Sequence, residues 1–85
     1  MTKSYVLFTT PTCVACPPVK QFLSDMELKG LLEGEHIDVT SDQGYEKAAE
    51  FGIRQSPTVV LYDENKHEMG RAHNIHEIKS ILYDY

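Results

Sequence analysis

Cys13 and Cys16 are the only thiols in the chain, and two residues separate them. At that spacing two thiols can close a small disulfide ring, supply half of a zinc site, or carry electrons by opening and closing the ring. Their setting weighs these options. The run Thr9-Thr10-Pro11-Thr12-Cys13-Val14-Ala15-Cys16-Pro17-Pro18 leads from an apolar segment into an amphipathic one. The first sulfur therefore lies at a helix start, where backbone N–H groups and a partial positive charge favour a thiolate. A static bridge across so short a loop adds little stability, because loop-closure entropy grows with loop length. Redox cycling is the chemistry this placement favours. Acidity alone does not carry it: moving a thiol pKa from about 8.5 to about 7 raises its neutral-pH thiolate fraction roughly 16-fold, but the lower basicity costs about 5-fold in nucleophilicity. The remaining acceleration must come from positioning the second thiol and the substrate sulfur.

The elements that position the pair follow from hydrophobic spacing. Tyr5-Val6-Leu7-Phe8 is a short, nearly continuous apolar run, as expected of a central strand covered on both faces. Val19, Phe22, Leu23 and Met26 fall at i, i+3, i+4 and i+7, which predicts one apolar stripe on a helix running to Lys29, with Gly30 as its left-handed stop. Pro17 and Pro18 are tolerated in its first turn, where N–H groups have no intrahelical partner. Residues 35–39 read as a second strand, parallel to the first through a right-handed crossover. Ser41 or Asp42 caps a second, short helix with Tyr45, Ala48 and Ala49 inward and Gly52 at its end. Residues 58–62 form the strongest strand, and Asp63-Glu64-Asn65-Lys66 turns it into a weaker one over residues 67–72. Asn74 and Glu77 have capping-box spacing before a last helix with Ile75, Ile78 and Leu82 on its apolar face. The order βαβ-α-ββα predicts an α/β fold: a four-stranded mixed sheet with three helices.

Composition bounds the function. An 85-residue chain that is 41% hydrophobic and free of linkers or repeats is expected to form one domain over residues 1–85. A net charge of −5 with no basic cluster argues against nucleic acid as the main partner. The apolar stretch near Met1 is too short for a signal peptide or a membrane span, so no membrane association and a cytoplasmic location are expected. In that reducing compartment a Cys-x-x-Cys pair cycles more readily than it staples. His67, His73 and His76 invite a metal reading, but their distance in sequence from Cys13 and Cys16 exceeds that of compact zinc motifs, and no metal is expected.

Nearly the whole chain resembles the thioredoxin superfamily in its shortest, glutaredoxin-like form. Phe8-Thr9-Thr10-Pro11-Thr12-Cys13-x-x-Cys16 is similar to the active-site approach of glutaredoxins and of the NrdH-type redoxins that reduce ribonucleotide reductase. Phe51-Gly52-Ile53-Arg54-Gln55-Ser56-Pro57-Thr58 is similar to the segment before the cis-proline of thioredoxins, and His36-Ile37-Asp38-Val39 resembles their second strand. Two departures narrow the comparison. Glutathione-binding glutaredoxins carry Pro-Tyr between the cysteines and Gly-Gly plus an acidic residue near the last helix; this chain has Val14-Ala15 and Gly70-Arg71-Ala72-His73-Asn74. Thioredoxins carry a Trp before the motif and a buried Asp on the central strand; this chain has Thr12 and Leu7.

The resemblance implies a thioredoxin fold and a dithiol-disulfide oxidoreductase whose only redox group is the Cys13–Cys16 disulfide, with no added cofactor; nothing in the sequence demands more than a monomer. Cys13 is then the nucleophile and Cys16 the resolving thiol. Thr12, Val14, Ser56 and Pro57 are the expected substrate-binding residues, with the Ser56-Pro57 bond cis. The client is a disulfide-containing protein such as ribonucleotide reductase, and the electron donor a thioredoxin reductase-like enzyme or glutathione. The rivals are a glutathione-dependent glutaredoxin and a thioredoxin-fold binding module without turnover. Lys20, one turn into the helix, is a weaker candidate for lowering a thiol pKa. Tyr5, Tyr45 and Tyr62 are expected to pack with their hydroxyls at the surface, and Tyr83 and Tyr85 to be exposed.

Overall fold

The computed structural model describes residues 2–83. Its elements are β1 (Lys3–Thr9), α1 (Cys16–Leu28), β2 (Leu32–Asp38), α2 (Asp42–Phe51), β3 (Thr58–Tyr62), β4 (Glu68–Ala72) and α3 (Ile75–Tyr83). They build one sheet in the order β2-β1-β3-β4, with β1 parallel to β2, and β3 antiparallel to both β1 and β4. The expected four-stranded mixed sheet with three helices is the observed one.

Alternation along the strands divides the core into two. On one face Tyr5, Leu7, Leu32, Val59 and Leu61 meet Val19, Leu23 and Met26 of α1 and Ile78 and Leu82 of α3. On the other, Phe8 and Val60 meet Ala48 of α2, with Phe51 and Ile53 packed alongside. Leu7, Leu23, Leu61 and Ile78 are wholly buried, and truncating such a side chain to alanine typically costs about 2–5 kcal/mol. Burial on both faces makes β1 the central strand that its apolar run implies, and fixes where its carboxyl end, and so Cys13, must lie.

Local signals set the boundaries. Gly30 and Gly52 take positive φ, 73° and 70°, where α1 and α2 end. Ser41 caps α2, its Oγ accepting the Gly44 N–H at 3.0 Å. The Asn74 Oδ1 accepts from the Glu77 N–H at 2.8 Å, while the Glu77 carboxylate reaches the His73 N–H at 2.7 Å. The capping box is thus displaced by one residue on its return arm.

Three expectations are corrected. The second strand begins at Leu32, not at residue 35, because Leu32 pairs with Lys3 in parallel register and enters the core. The charged residues that follow hid this, since β2 is a sheet edge where such side chains face solvent. On α2 the inward residues are Gly44 and Ala48; Tyr45 is 70% exposed and Ala49 is exposed. The helix packs so closely on the end of β2 that a Cβ on Gly44 would collide with the Asp38 carbonyl, so glycine rather than tyrosine faces inward. Tyr5 is buried, and its hydroxyl bonds to Glu27 and His36 instead of being left to solvent.

Candidate functional site

The parallel β1–β2 pair and the antiparallel β1–β3 pair bring the carboxyl ends of β1 and β2 and the amino end of β3 together, with Thr9 opposite Asp38 and Phe8 opposite Thr58. The loop from β1 into α1 crosses this end of the sheet. Cys13 and Cys16 are joined there as a disulfide, with Cα atoms 5.4 Å apart. The two cysteines differ in exposure: Cys16, the first residue of α1, is 5% exposed, whereas Cys13 is half-buried. Thr12 is exposed and Val14 is 93% exposed, so the residues flanking Cys13 form a protruding lip. Pro17 and Pro18 occupy the first turn of α1, as the sequence requires.

Thr10 connects the disulfide loop to the Ser56-Pro57 segment. Its carbonyl accepts the Cys13 N–H at 3.2 Å, and its hydroxyl lies 3.4 Å from that of Ser56. The Ser56-Pro57 bond is cis, as the resemblance implies. The segment is tied to the start of α3 through His73. The Thr58 hydroxyl donates to the Gln55 carbonyl at 2.6 Å, so towards His73 it can only accept. The Nδ1 of His73, 3.3 Å from that hydroxyl and 3.2 Å from the Pro57 carbonyl, therefore carries the hydrogen and donates to both. This histidine, which the sequence offered as a metal ligand, supports the proline loop. Among the described residues no three His, Cys, Asp or Glu side chains gather into a metal site.

Two grooves flank the disulfide loop. One, of 600 Å³, is lined by Thr9, Thr10, Cys13, Cys16, Lys20, His36 and Asp38, with Pro11 and Pro17. The other, of 390 Å³, is lined by Thr10, Tyr45, Ala48, Ile53, Arg54 and Ser56, with three further residues of α2 and its surroundings. Lys20 therefore shares a cavity with both sulfurs, where its charge favours a thiolate. His36 lowers its own protonation tendency: partial burial, then the Lys20 charge, depress its pKa below the ordinary 6.5, against the opposing pull of Glu27. The Thr40 hydroxyl and N–H, both bonded to the Asp38 carboxylate, hold that group below the usual carboxylate value.

Sequence reasoning missed Thr10 and His36. The signal for His36 lay in the alternation of β2, since positions 32, 34, 36 and 38 share the face that α1 covers. That signal required the strand to start at Leu32. Gly34 is part of the same arrangement: a Cβ there would collide with the Tyr5 carbonyl and ring, so glycine lets Tyr5 cross β2 to reach His36 and Glu27.

A sheet of this order, with a cysteine pair where the first strand meets the first helix, is the thioredoxin fold. It superposes on thioredoxin O2 from Arabidopsis thaliana with a TM-score of 0.78 at 12% identity, covering 98% of this chain and 76% of that one. Mitochondrial thioredoxin 3 from Saccharomyces cerevisiae matches with a TM-score of 0.77 at 20% identity, over 98% of this chain and 78% of that one. In sequence, the glutaredoxin family profile matches residues 5–66, and the chain belongs to that family. A probable thioredoxin from Archaeoglobus fulgidus is 34% identical over 58 residues, 68% of this chain and 64% of the relative. A thioredoxin from Methanocaldococcus jannaschii is 37% identical over 57 residues, 65% of each. The matched region spans less than two thirds of either relative's length.

Proposed function

We propose that the protein is a dithiol-disulfide oxidoreductase that reduces protein disulfides through Cys13 and Cys16. The observation that carries this reading is the asymmetry of the pair: Cys13 half-buried, its partner 5% exposed at the first position of α1. Membership of the glutaredoxin family supports it. In the reduced state the Cys13 thiolate attacks a client disulfide, and the client's first sulfur leaves with the electron pair. Cys16 then displaces the second client sulfur from Cys13, re-forming the Cys13–Cys16 bond as the mixed disulfide breaks. Two electrons and two protons pass from the dithiol to the client, and a reductase restores the pair.

Thr12, Val14, Ser56 and Pro57 are assigned to the client. The protruding Val14 and the apolar groove beside Ser56 offer contacts to an extended client segment, and the Ser56 backbone offers strand-like hydrogen bonds. Ribonucleotide reductase is one client of the right class, and the cytosol the matching compartment. The donor we favour is a thioredoxin reductase-like enzyme rather than glutathione. In the stretch where glutathione-binding relatives would carry an acidic residue, Arg71 is engaged by Glu68 at 3.1 Å and by the Phe51 carbonyl at 2.6 Å, and His73 supports the proline loop. The deciding experiment is insulin reduction with either donor system. Turnover with thioredoxin reductase and NADPH is expected; rapid turnover with glutathione and glutathione reductase alone would reverse the choice of donor. No turnover with either, together with thiols inert to an alkylating reagent at neutral pH, would remove the oxidoreductase reading.

A further inference from the structure

His36, in the wall of the polar groove, ends a hydrogen-bonded chain that the exchange chemistry above does not use. The Tyr5 hydroxyl contacts the Glu27 carboxylate and lies 2.8 Å from the Nε2 of His36. A phenol has one hydrogen, and a carboxylate only accepts, so Tyr5 donates to Glu27. Towards His36 the phenol oxygen must then accept, which places the ring hydrogen on Nε2. Burial, and then the bond to and charge of Glu27, hold the Tyr5 hydroxyl well above its ordinary pKa of 10, so this donor keeps its proton throughout the neutral range. In neutral His36 the lone pair is thereby fixed on Nδ1.

Resting on the oxidoreductase reading, we propose that His36 is the proton acceptor for Cys16 in the resolving step. Cys16 is buried, and burial disfavours the thiolate it needs. Every other side chain that lines the cavity with the two sulfurs is a poorer base. Lys20 is cationic and has no lone pair to offer. The Asp38 carboxylate is bonded to Thr40 and held below its usual pKa. Thr9, Thr10, Pro11 and Pro17 do not titrate near neutrality. His36 is accessible to solvent, so an accepted proton can also leave. The charged and titratable groups around it are Tyr5 from β1, Lys20 and Glu27 from α1, and Asp38 on its own strand. Glu35 and Lys47 line a separate groove with it, 4.0 Å from each other.

The step balances without an added reagent. The Cys16 proton passes to Nδ1 of His36, and the Cys16 thiolate forms the S–S bond to Cys13 as the Cys13–client bond breaks. The departing client sulfur takes the electron pair, and the proton on His36 is released to it or to solvent. Tyr5 and Glu27 are positioning residues in this scheme, acting through the tautomer of His36.

The test uses a small aromatic disulfide, 5,5′-dithiobis(2-nitrobenzoate), with the reduced protein in stopped flow. The first equivalent of coloured thiolate reports attack by Cys13, and the second reports attack by Cys16. General-base assistance is typically worth about 10²-fold or more, so His36→Asn should lower the ratio of second to first rate at least tenfold, by this scale, near neutral pH. The ratio should recover towards wild type at about pH 9, where hydroxide deprotonates the thiol unaided. Tyr5→Phe, which frees the tautomer but keeps the imidazole, should give a smaller loss with the same recovery. A His36→Asn profile identical to wild type, or lower by one factor at every pH, would overturn the assignment. If the wild-type protein itself released no second equivalent, the dithiol reading would fall first, a pattern distinct from either of these.

Discussion

The two grooves that meet at Thr10 differ in what they offer a disulfide exchange. On the α2 side the walls are Tyr45, Ala48 and Ile53 beside Ser56, with Arg54 at the margin. On the α1 side they are Lys20, His36 and Asp38, backed by the Tyr5–Glu27 pair. An apolar wall gains from covering a client's side chains but offers no imidazole or carboxylate to a thiol. The α1-side wall offers a comparable apolar surface but adds charged and titratable side chains beside both sulfurs. On the roles proposed above, the pair of grooves separates recognition from proton handling; Thr10 lines both, and the two sulfurs line the α1-side groove. The layering creates the separation: α1 and α2 cover opposite faces of the sheet, and each groove lies beside one of them.

The largest expected effect falls on the two sulfurs themselves. Cys16→Ser leaves Cys13 able to attack but removes the intramolecular second step, and effective molarities of intramolecular reactions make that loss about a hundredfold or more in insulin turnover. Mixed disulfides with client should accumulate on Cys13 and be visible by non-reducing electrophoresis and mass spectrometry. Cys13→Ser should abolish both turnover and trapping. A Cys16→Ser protein that captures no client while holding it reversibly would favour the binding-module rival and leave the polar groove without a task.

A smaller effect separates the apolar groove from the polar one. Tyr45 is largely exposed, so its truncation does not open the core. Tyr45→Ala should raise KM for insulin by about 5- to 10-fold, near 1 kcal/mol of lost contact, with kcat little changed. The polar side should behave oppositely, with His36→Asn moving the pH dependence of the resolving step. Equal changes in KM and in pH profile from both substitutions would dissolve the division of labour.

How far the sequence disclosed these grooves depends on the element. The cysteine loop, the amphipathic α1 and the strand Thr58–Tyr62 were legible because local chemistry decides them: two prolines at a helix start, a stripe at i, i+3 and i+4, a β-branched run. The family resemblance, not composition, brought Ser56-Pro57 to the site. β2 was only half legible, because its edge position lets Glu33 and Glu35 face solvent and breaks the apolar pattern. Losing its first three residues hid the alternation that sends His36 towards α1. The rotation of α2 was illegible for another reason. Tyr45 is the larger apolar surface, and only the close approach of Gly44 to Asp38 turns it outward. Tertiary contact overrode the helical period there, and the same override produced the exposed aromatic wall of the groove proposed for the client. Tyr85 lies outside the described residues.

The smallest expected effect is on stability in acid, and it distinguishes His36 from Asp38 in the polar groove. His36 has its folded pKa below the ordinary 6.5, so the unfolded chain binds its proton more readily. Its stabilising contribution is therefore complete above about pH 6.5 and is lost as pH falls through the folded value. Asp38 is also depressed, from 3.8, by its bonds to Thr40, so its contribution is complete above about pH 4 and disappears only as pH falls further. Urea midpoints measured across this range should decline in two stages. His36→Asn should flatten the first and leave the second, whereas Thr40→Val, which removes one of the two bonds to Asp38, should weaken the second and leave the first. A wild-type midpoint as flat as that of His36→Asn between about pH 7 and pH 5 would show that His36 is not held neutral by its surroundings, and would detach it from Tyr5, Lys20 and the sulfurs beside it.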